Sequence, residues 1–283
     1  MKKIGIHVLP HVQAAHDLGC NLQNALQTRV EEVWITSAWD DKTTQGKIEG
    51  TDLLICVGGD GSMLWAARTV IPHPVPILGI NMGRLGFLAE LGPEEAMAKL
   101  NEVLEGSGRI EERTMLKAEL SSGEEYHGLN DAVVARSSAG RPVYIDVAVD
   151  GRRLGLYRAD AVIVATATGS TGYSLSAGGP ILYPEARELL ITAVAAHLAG
   201  PRSVVVDPMA AIELRVSTDR AVLSVDGQVN LPLNSGDTVI VRRSPHTARF
   251  LRLADPREHY SILGERLGWG VRDDNPDQDG GGR

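Results

Sequence analysis

Residues 52–61, DLLICVGGDG, carry an apolar run into three glycines with an aspartate set among them. Glycines admit positive φ and let backbone N–H groups come close to a ligand, and a helix that follows adds free N–H groups and the positive end of its dipole. Gly58, Gly59 and Gly61 therefore read as half of a phosphate cradle. A carboxylate inside such a cradle, Asp60, has a use if it takes a proton from an attacking hydroxyl or helps to hold the metal that offsets phosphate charge. A turn residue or helix N-cap is an equal alternative for Asp60 on this loop alone. The loop lacks the Gly-Lys-Ser/Thr ending of a P-loop, and the chain has no GxGxxG.

Three further stretches carry chemistry. NMGRLGF, 81–87, is a second glycine turn directly after a strand, so Asn81 and Gly83 either face the same crevice or make an ordinary tight connection. In HGLNDAVVAR, Asn130 and Asp131 precede an apolar run; an amide beside a carboxylate can read a ribose or an adenine edge, although Asn-Asp is also common turn chemistry. ATATGSTGYSLSAGGPILYP, 165–184, sets Thr166, Thr168, Ser170, Thr171, Ser174 and Ser176 among four glycines and Tyr173, right after the apolar strand AVIVA. Such a loop exposes backbone and hydroxyl donors at close range while the tyrosine offers a stacking face. A flexible linker seldom abuts a buried strand in this way.

The elements that must position these loops follow from periodicity. Lys2 to Leu9 reads as a buried strand, Val12 to Val30 as an amphipathic helix, then strands at Glu32 to Thr36 and Asp52 to Val57, a helix over SMLWAARTV, and a strand at Pro76 to Ile80. PEEAMAKLNEVLEG closes this half as one helix. Alternating strands and helices imply a parallel sheet, so residues 1–113 form an α/β domain. Residues 114–254 turn to short strands with turn residues, including the Asp150-Gly151 hairpin signal, and read as a β-rich, sandwich-like domain. Residues 255–270 regain helical spacing through Tyr260, Leu263 and Leu267 and return to the first domain, and the polar tail 271–283 reads as disordered.

Composition narrows the classes. The 283 residues are 43% hydrophobic with a formal charge of −8, which excludes a global basic field for nucleic acid or an anionic membrane. Cys20 and Cys56 form no CxxC, and Cys56 inside LLICV reads as a packed strand residue; the histidines show no paired metal-ligand spacing. The sequence identifies no metal ligands. Without a leader or an apolar run of ~18 residues, the expectation is a soluble cytoplasmic protein.

GGDG, GINMGRLGFL, LNDAVVAR, ATGSTGYSLSAGGP and DGQ occur here in the order and approximate spacing of the NAD kinase family, which this chain resembles over residues 52–230 in motifs and nearly throughout in architecture. The resemblance implies an enzyme that moves a phosphoryl group from ATP or polyphosphate to the 2′-hydroxyl of the adenosine ribose of NAD, giving NADP, with Mg²⁺ or another divalent ion as cofactor. It implies Asp60 as proton acceptor with Gly61 beside it, and Asn130 and Asp131 as the pair holding the dinucleotide. Arg141, Arg158 and Asp160 match positions contacting dinucleotide or phosphate. Thr171, Gly172, Tyr173, Ser174, Leu175 and Ser176 match the adenine and ribose loop, and Gln228 a further contact. His197 lies near a family histidine, with helix surface or core packing as an equal alternative. Homodimers or homotetramers, no nucleic acid and no membrane partner complete what it implies.

A lipid kinase shares GGDG but requires neither the Thr/Ser loop nor the Asn-Asp pair. A dinucleotide sensor on the same fold has no need of Asp60. Two departures from the family stand out: Trp65, where many relatives carry a basic residue, and Gly172, where alanine is commoner.

Overall fold

The computed structural model describes residues 1–83, 86–138, 141–196 and 203–269. His197 and the tail from 271 onward, both singled out in the sequence, lie outside the described residues.

The first half runs β1 (Lys3–Val8), α1 (Gln13–Leu26), β2 (Glu32–Ser37), α2 (Asp41–Ile48), β3 (Leu53–Gly58), α3 (Asp60–Thr69), β4 (Ile77–Asn81), α4 (Pro93–Ala98) and α5 (Leu100–Leu104). Strands β2, β1, β3 and β4 pair in that order, all parallel. In β3 every residue is buried, as expected of a parallel strand covered on both faces. Leu53, Ile55 and Val57 pack with α1, α4 and α5, whereas Leu54 and Cys56 pack with α3. Helix α2 has no signal in the apolar pattern: of the described side chains in KTTQGKI, 42–48, only Thr44 and Ile48 are buried, and its start is fixed by Asp40, which accepts from Thr43 N at 3.1 Å. The expected single helix after Pro93 is two, meeting at Lys99.

The second half runs β5 (Arg109–Leu120), β6 (Glu125–Gly128), β7 (Asp131–Arg136), β8 (Val143–Val149), β9 (Arg152–Ala159), β10 (Ala161–Ala165), a 3₁₀ turn (Gly169–Thr171), α6 (Tyr173–Ser176), β11 (Leu189–Val194), β12 (Val204–Val206), β13 (Ile212–Val216), β14 (Ala221–Val225), β15 (Val229–Leu233), β16 (Thr238–Arg252) and α7 (His259–Leu267). Asp150 and Gly151 both take positive φ between β8 and β9, the two-residue hairpin turn their pairing foretells. An antiparallel sheet, β12-β11-β10-β7-β14-β15, faces the antiparallel part of the first sheet across a core that includes Val134, Val162, Ile145 and Leu214. The long strand β16 joins the halves: Val239 and Val241 pair with β5 and β13, while Phe250 pairs in parallel with Ile77 of β4. One sheet therefore runs through both halves.

Helix α7 returns to the first half as the spacing predicts. Leu263 is its buried contact, Arg266 lies 5.6 Å over the Phe87 ring, and His259 meets Tyr183 edge-on. Tyr260 points to solvent. Among the described residues no helix is long and apolar enough to cross a membrane.

Candidate functional site

Gly58 and Asn81 are register partners at the carboxyl ends of β3 and β4, so the two glycine turns stand side by side. Asn81 braces its own turn, donating to Gly83 O at 3.2 Å and accepting from Gly83 N at 3.3 Å. The N-cap of α3 is Gly59, and Asp60 is the first helical residue. Its carboxylate does not cap α3 but reaches the neighbouring turn, accepting from Phe87 N at 2.9 Å and Leu88 N at 3.2 Å. The helix-cap alternative is thereby set aside. Each oxygen spends one acceptor site on a fixed N–H and keeps another for a ligand hydroxyl.

This approach requires Gly86. A Cβ there would stand 2.2 Å from Asp60 Oδ1. By contrast Gly59, Gly61 and Gly83 have open space where a side chain would go. They line a mouth rather than a packed core.

The second half meets this mouth through the β14–β15 turn. Asp226 and Gly227 take positive φ there, and Gln228 Nε2 donates to Gly61 O at 2.9 Å, tying the turn to the first turn of α3. The half-buried Asp226 carboxylate accepts from Leu129 N and Asn130 N, both at 2.7 Å, and from Asp131 N at 3.1 Å. This residue fixes the Asn130-Asp131 pair and was not singled out in the sequence; the signal was present in the Asp-Gly dipeptide before Gln228, read only for its glutamine. Burial first, then the Asp226 charge, pushes the Asp131 carboxyl up to about 7. Burial also raises Asp226, against the three N–H donors and the positive charge of Arg68.

The Thr/Ser loop divides into two sets. Thr166, Ser170 and Ser174 are fully buried and hold the loop itself. Thr166 Oγ1 donates to Leu129 O at 2.5 Å, Leu182 N to Ser170 Oγ at 3.0 Å, and Ser174 Oγ meets Thr192 Oγ1 at 3.1 Å. Thr166 N also donates to Asn130 O at 2.9 Å, and a Cβ on Gly169 would stand 2.1 Å from that same oxygen. The loop is thus laid directly on the Asn130-Asp131 pair. Thr171, Gly172, Leu175 and Ser176 are partly or fully exposed, and Tyr173 is 45% exposed, leaving its ring face free.

Arg158 and Asp160 lie elsewhere in this chain. Asp131 is opposite Ala165 and Ala135 opposite Ala161 in the β7–β10 ladder, so Asp160, one residue beyond Ala161, sits roughly 17 Å along the strands from Asp131. There Asp160 pairs with Arg136 at 3.0 Å, Arg158 is exposed 5.9 Å over Tyr144, and Arg141 is exposed.

Trp65 has a structural reason to differ. It is buried against His7, ring centroids 4.6 Å apart, and against Trp39 at 5.9 Å, so α3 presents no cation there. A cation arrives from α7. Burial lowers the Arg266 guanidinium, the charge of Arg252 adds to this, and Asp60 and Glu90 offset it; its Nε is buried without a partner. Behind Phe87, Arg252 ties the halves: its Nε donates to Glu111 at 3.0 Å and its Nη1 to Leu88 O at 2.8 Å. Burial alone would raise Glu111, but Arg113 and Arg252 hold it at about 2.

The same order of parts occurs in known proteins. Residues 1–108 match the ATP-NAD kinase N-terminal domain and residues 129–253 the ATP-NAD kinase C-terminal domain. The NAD kinase of Dehalococcoides mccartyi strain CBDB1 is 39% identical over 272 residues, 94% of this chain and 96% of that protein. The chain belongs to the NAD kinase family. It is an enzyme of that kind, an NAD kinase by family. The NAD kinase of Chloroflexus aggregans is 43% identical over 76% of this chain and 80% of its own length. Two solved NAD kinase-family structures share the fold. Yeast NADH kinase complexed with NADH superposes with TM-score 0.84 at 23% identity, over 96% of this chain and 89% of that one. An Archaeoglobus fulgidus NAD kinase in complex with ATP gives 0.75 at 24%, over 95% and 99%.

Proposed function

We propose that the enzyme transfers a phosphoryl group from ATP, or from polyphosphate, to the 2′-hydroxyl of the adenosine ribose of NAD, giving NADP. The observation that carries this reading is the Asp60 carboxylate, fixed by Phe87 N and Leu88 N with acceptor capacity left over, in the first turn of a helix that Gln228 ties to the half carrying the Asn130-Asp131 pair. In the reaction Asp60 takes the proton of the 2′-hydroxyl as the oxygen attacks phosphorus. A new O–P bond forms, the bond to the leaving ADP or shortened polyphosphate breaks, and its electron pair stays on the leaving oxygen. Asn130 and Asp131 hold the ribose and base, Tyr173 offers a stacking face, and Gly58 to Gly61 offer N–H groups to phosphate. The solved relatives with NADH and with ATP support these two ligand classes.

Among the described residues no three acidic, histidine or cysteine groups converge as metal ligands. The chain therefore does not fit a resident Mg²⁺ cage, and the ion is read as part of the substrate, carried on the donor phosphates. We also read the enzyme as a homodimer or homotetramer, a state that light scattering would report.

The test is incubation with NAD, Mg²⁺ and ATP or polyphosphate, with the product identified by mass and by ³¹P NMR. NADP with a 2′-monophosphate supports the reading; a dinucleotide phosphorylated elsewhere, or none, overturns it.

A further inference from the structure

Three parts of the chain meet around a cavity of about 60 Å³ beside α7: Arg109 and Arg113 line it from β5, Arg252 from β16, Arg266 from α7, and Glu90 from the first half. Guanidinium groups repel one another, so the anions that hold them together can be counted. Glu111 accepts from Arg113 Nε at 2.7 Å, from Arg252 Nε at 3.0 Å and from Arg109 Nη2 at 3.0 Å. Glu90 accepts from Arg252 Nη1 at 3.2 Å and from the N–H groups of Leu253 and Ala254. Asp255 also lines the cavity but is taken by Arg257, whose Nε donates to it at 3.0 Å. Four cations therefore face two carboxylates, and two positive charges are in excess. Glu185, Glu265 and Asp60 do not line the cavity and act on its arginines only as charges at a distance.

Spare donors accompany the spare charge. The Nε atoms of Arg109 and Arg266 are both buried without a partner, and the Arg113 and Arg252 side chains are only 7% and 8% exposed. Buried cations with unused N–H groups are costly, and Arg is the side chain whose planar fork matches a phosphate. Burial lowers Arg113 to about 10 against the pull of Glu111, and burial followed by the charge of Arg113 lowers His259 on the same wall. The space holds a few waters or, in their place, one tetrahedral oxyanion, and it is too small for a sugar or a base. We propose that this cavity binds one phosphoryl dianion, which ties β5, β16 and α7 together where the two halves join. None of Gly58 to Gly61, Asn130 or Asp131 lines it, so it is separate from the groups assigned to NAD and to the donor's phosphates. A smaller cavity shares Phe87, Arg113, His259 and Arg266 with it and reaches Thr171. The dianion is therefore free phosphate or the far end of a polyphosphate chain, and the site itself does not rest on which donor the enzyme uses.

The test is the melting temperature of the full chain, without nucleotides and at fixed ionic strength, as inorganic phosphate replaces chloride. Phosphate raises it saturably, by about 2–4 °C at ten times the dissociation constant, and chloride does not. Arg109→Gln removes a partly exposed side chain that no step of the reaction uses, and it weakens phosphate roughly tenfold to a hundredfold, as the loss of a charge-assisted hydrogen bond does. Arg242→Gln, at an exposed position of β16 outside the cavity, leaves phosphate affinity within about twofold. This pair separates the cavity from any phosphate held at the glycine turns, which Arg109→Gln does not touch. The source of the dianion is read by ³¹P NMR under saturating polyphosphate: displacement of bound phosphate assigns the site to the end of the chain, and retention assigns it to free phosphate. A melting temperature that responds to phosphate no more than to chloride, or a phosphate effect that Arg109→Gln leaves intact, overturns the site.

Discussion

The backbone N–H of Phe87 donates to Asp60 Oδ2 at 2.9 Å, so the turn after β4 holds the carboxylate that begins α3. Gly86 makes this possible, since any side chain there would overlap Asp60. Gly86→Ala is expected to push the carboxylate out of line. A misplacement of about 1 Å costs up to roughly 10² in rate, so kcat should fall tenfold or more while the NAD dissociation constant changes little. Steady-state kinetics with calorimetric NAD binding checks this; an unchanged kcat would remove the turn from the catalytic geometry.

Asp131 predicts a pH dependence with a definite sign. Its carboxyl stands at about 7 when folded, against 3.8 for the ordinary group, because it is buried beside Asp226. Between those values the folded chain keeps a proton that the unfolded chain releases, so this contribution is full below about 4 and is lost as pH rises through 7. Asp131→Asn carries no charge to bury, and should exceed the parent in stability at pH 8 by roughly 2–4 kcal/mol, with the gain fading toward pH 4. The same variant should raise KM for NAD about tenfold. Denaturant titrations at pH 5 and 8 test the first half, and a gain independent of pH would contradict it.

How much of this could be read in advance divides along physical lines. The βαβ half was legible because β3 is apolar throughout and α1 repeats its apolar residues at helical spacing, burying Ala15, Leu22 and Leu26. Helix α2 was not, since it buries almost nothing apolar and rests on the Asp40 cap. Asp60 was legible as a charge in a glycine turn, but its partners are 27 and 28 residues away, and Gly86 gains its meaning only when that contact exists. The Thr/Ser loop was found as a whole, yet alternate hydroxyls inside it are consumed by Leu129 O, Ala167 O and Thr192, which spacing does not reveal. Arg266 was missed because a lone arginine in a terminal helix has no pattern.

The two glycines of the Thr/Ser loop should respond differently. A Cβ on Gly169 would meet Asn130 O at 2.1 Å, a backbone atom that cannot swing away, whereas one on Gly172 meets Gly169 O at 3.4 Å, ordinary contact. Gly169→Ala is expected to cost at least ~1–3 kcal/mol and to weaken NAD binding. Gly172→Ala should be the milder of the two in both respects. Thermal melts and KM for NAD on the pair decide, and equal effects would mean that the loop is not seated on Asn130.

Arg266 offers a buried, unpartnered Nε close enough for Asp60 to feel its charge. Arg266→Gln keeps much of the packing on Phe87 but removes the cation. Charge-assisted hydrogen bonds contribute ~1.5–3 kcal/mol, so kcat/KM for ATP should drop roughly tenfold to a hundredfold with little change in KM for NAD. A variant with wild-type kinetics would confine Arg266 to packing.

The measurement that bears most directly on the account is the turnover of Asp60→Asn, taken with its NAD dissociation constant on the same sample. The amide keeps one of the two backbone hydrogen bonds and must present its NH₂ group to the other N–H, so a local cost of ~1–3 kcal/mol in stability is expected. It cannot accept a proton at neutral pH. Loss of a general base is typically worth ~10²–10⁴ in rate. The account predicts a fall in kcat of that size with NAD binding within a few-fold of the parent; NADP formation at near wild-type kcat would contradict it.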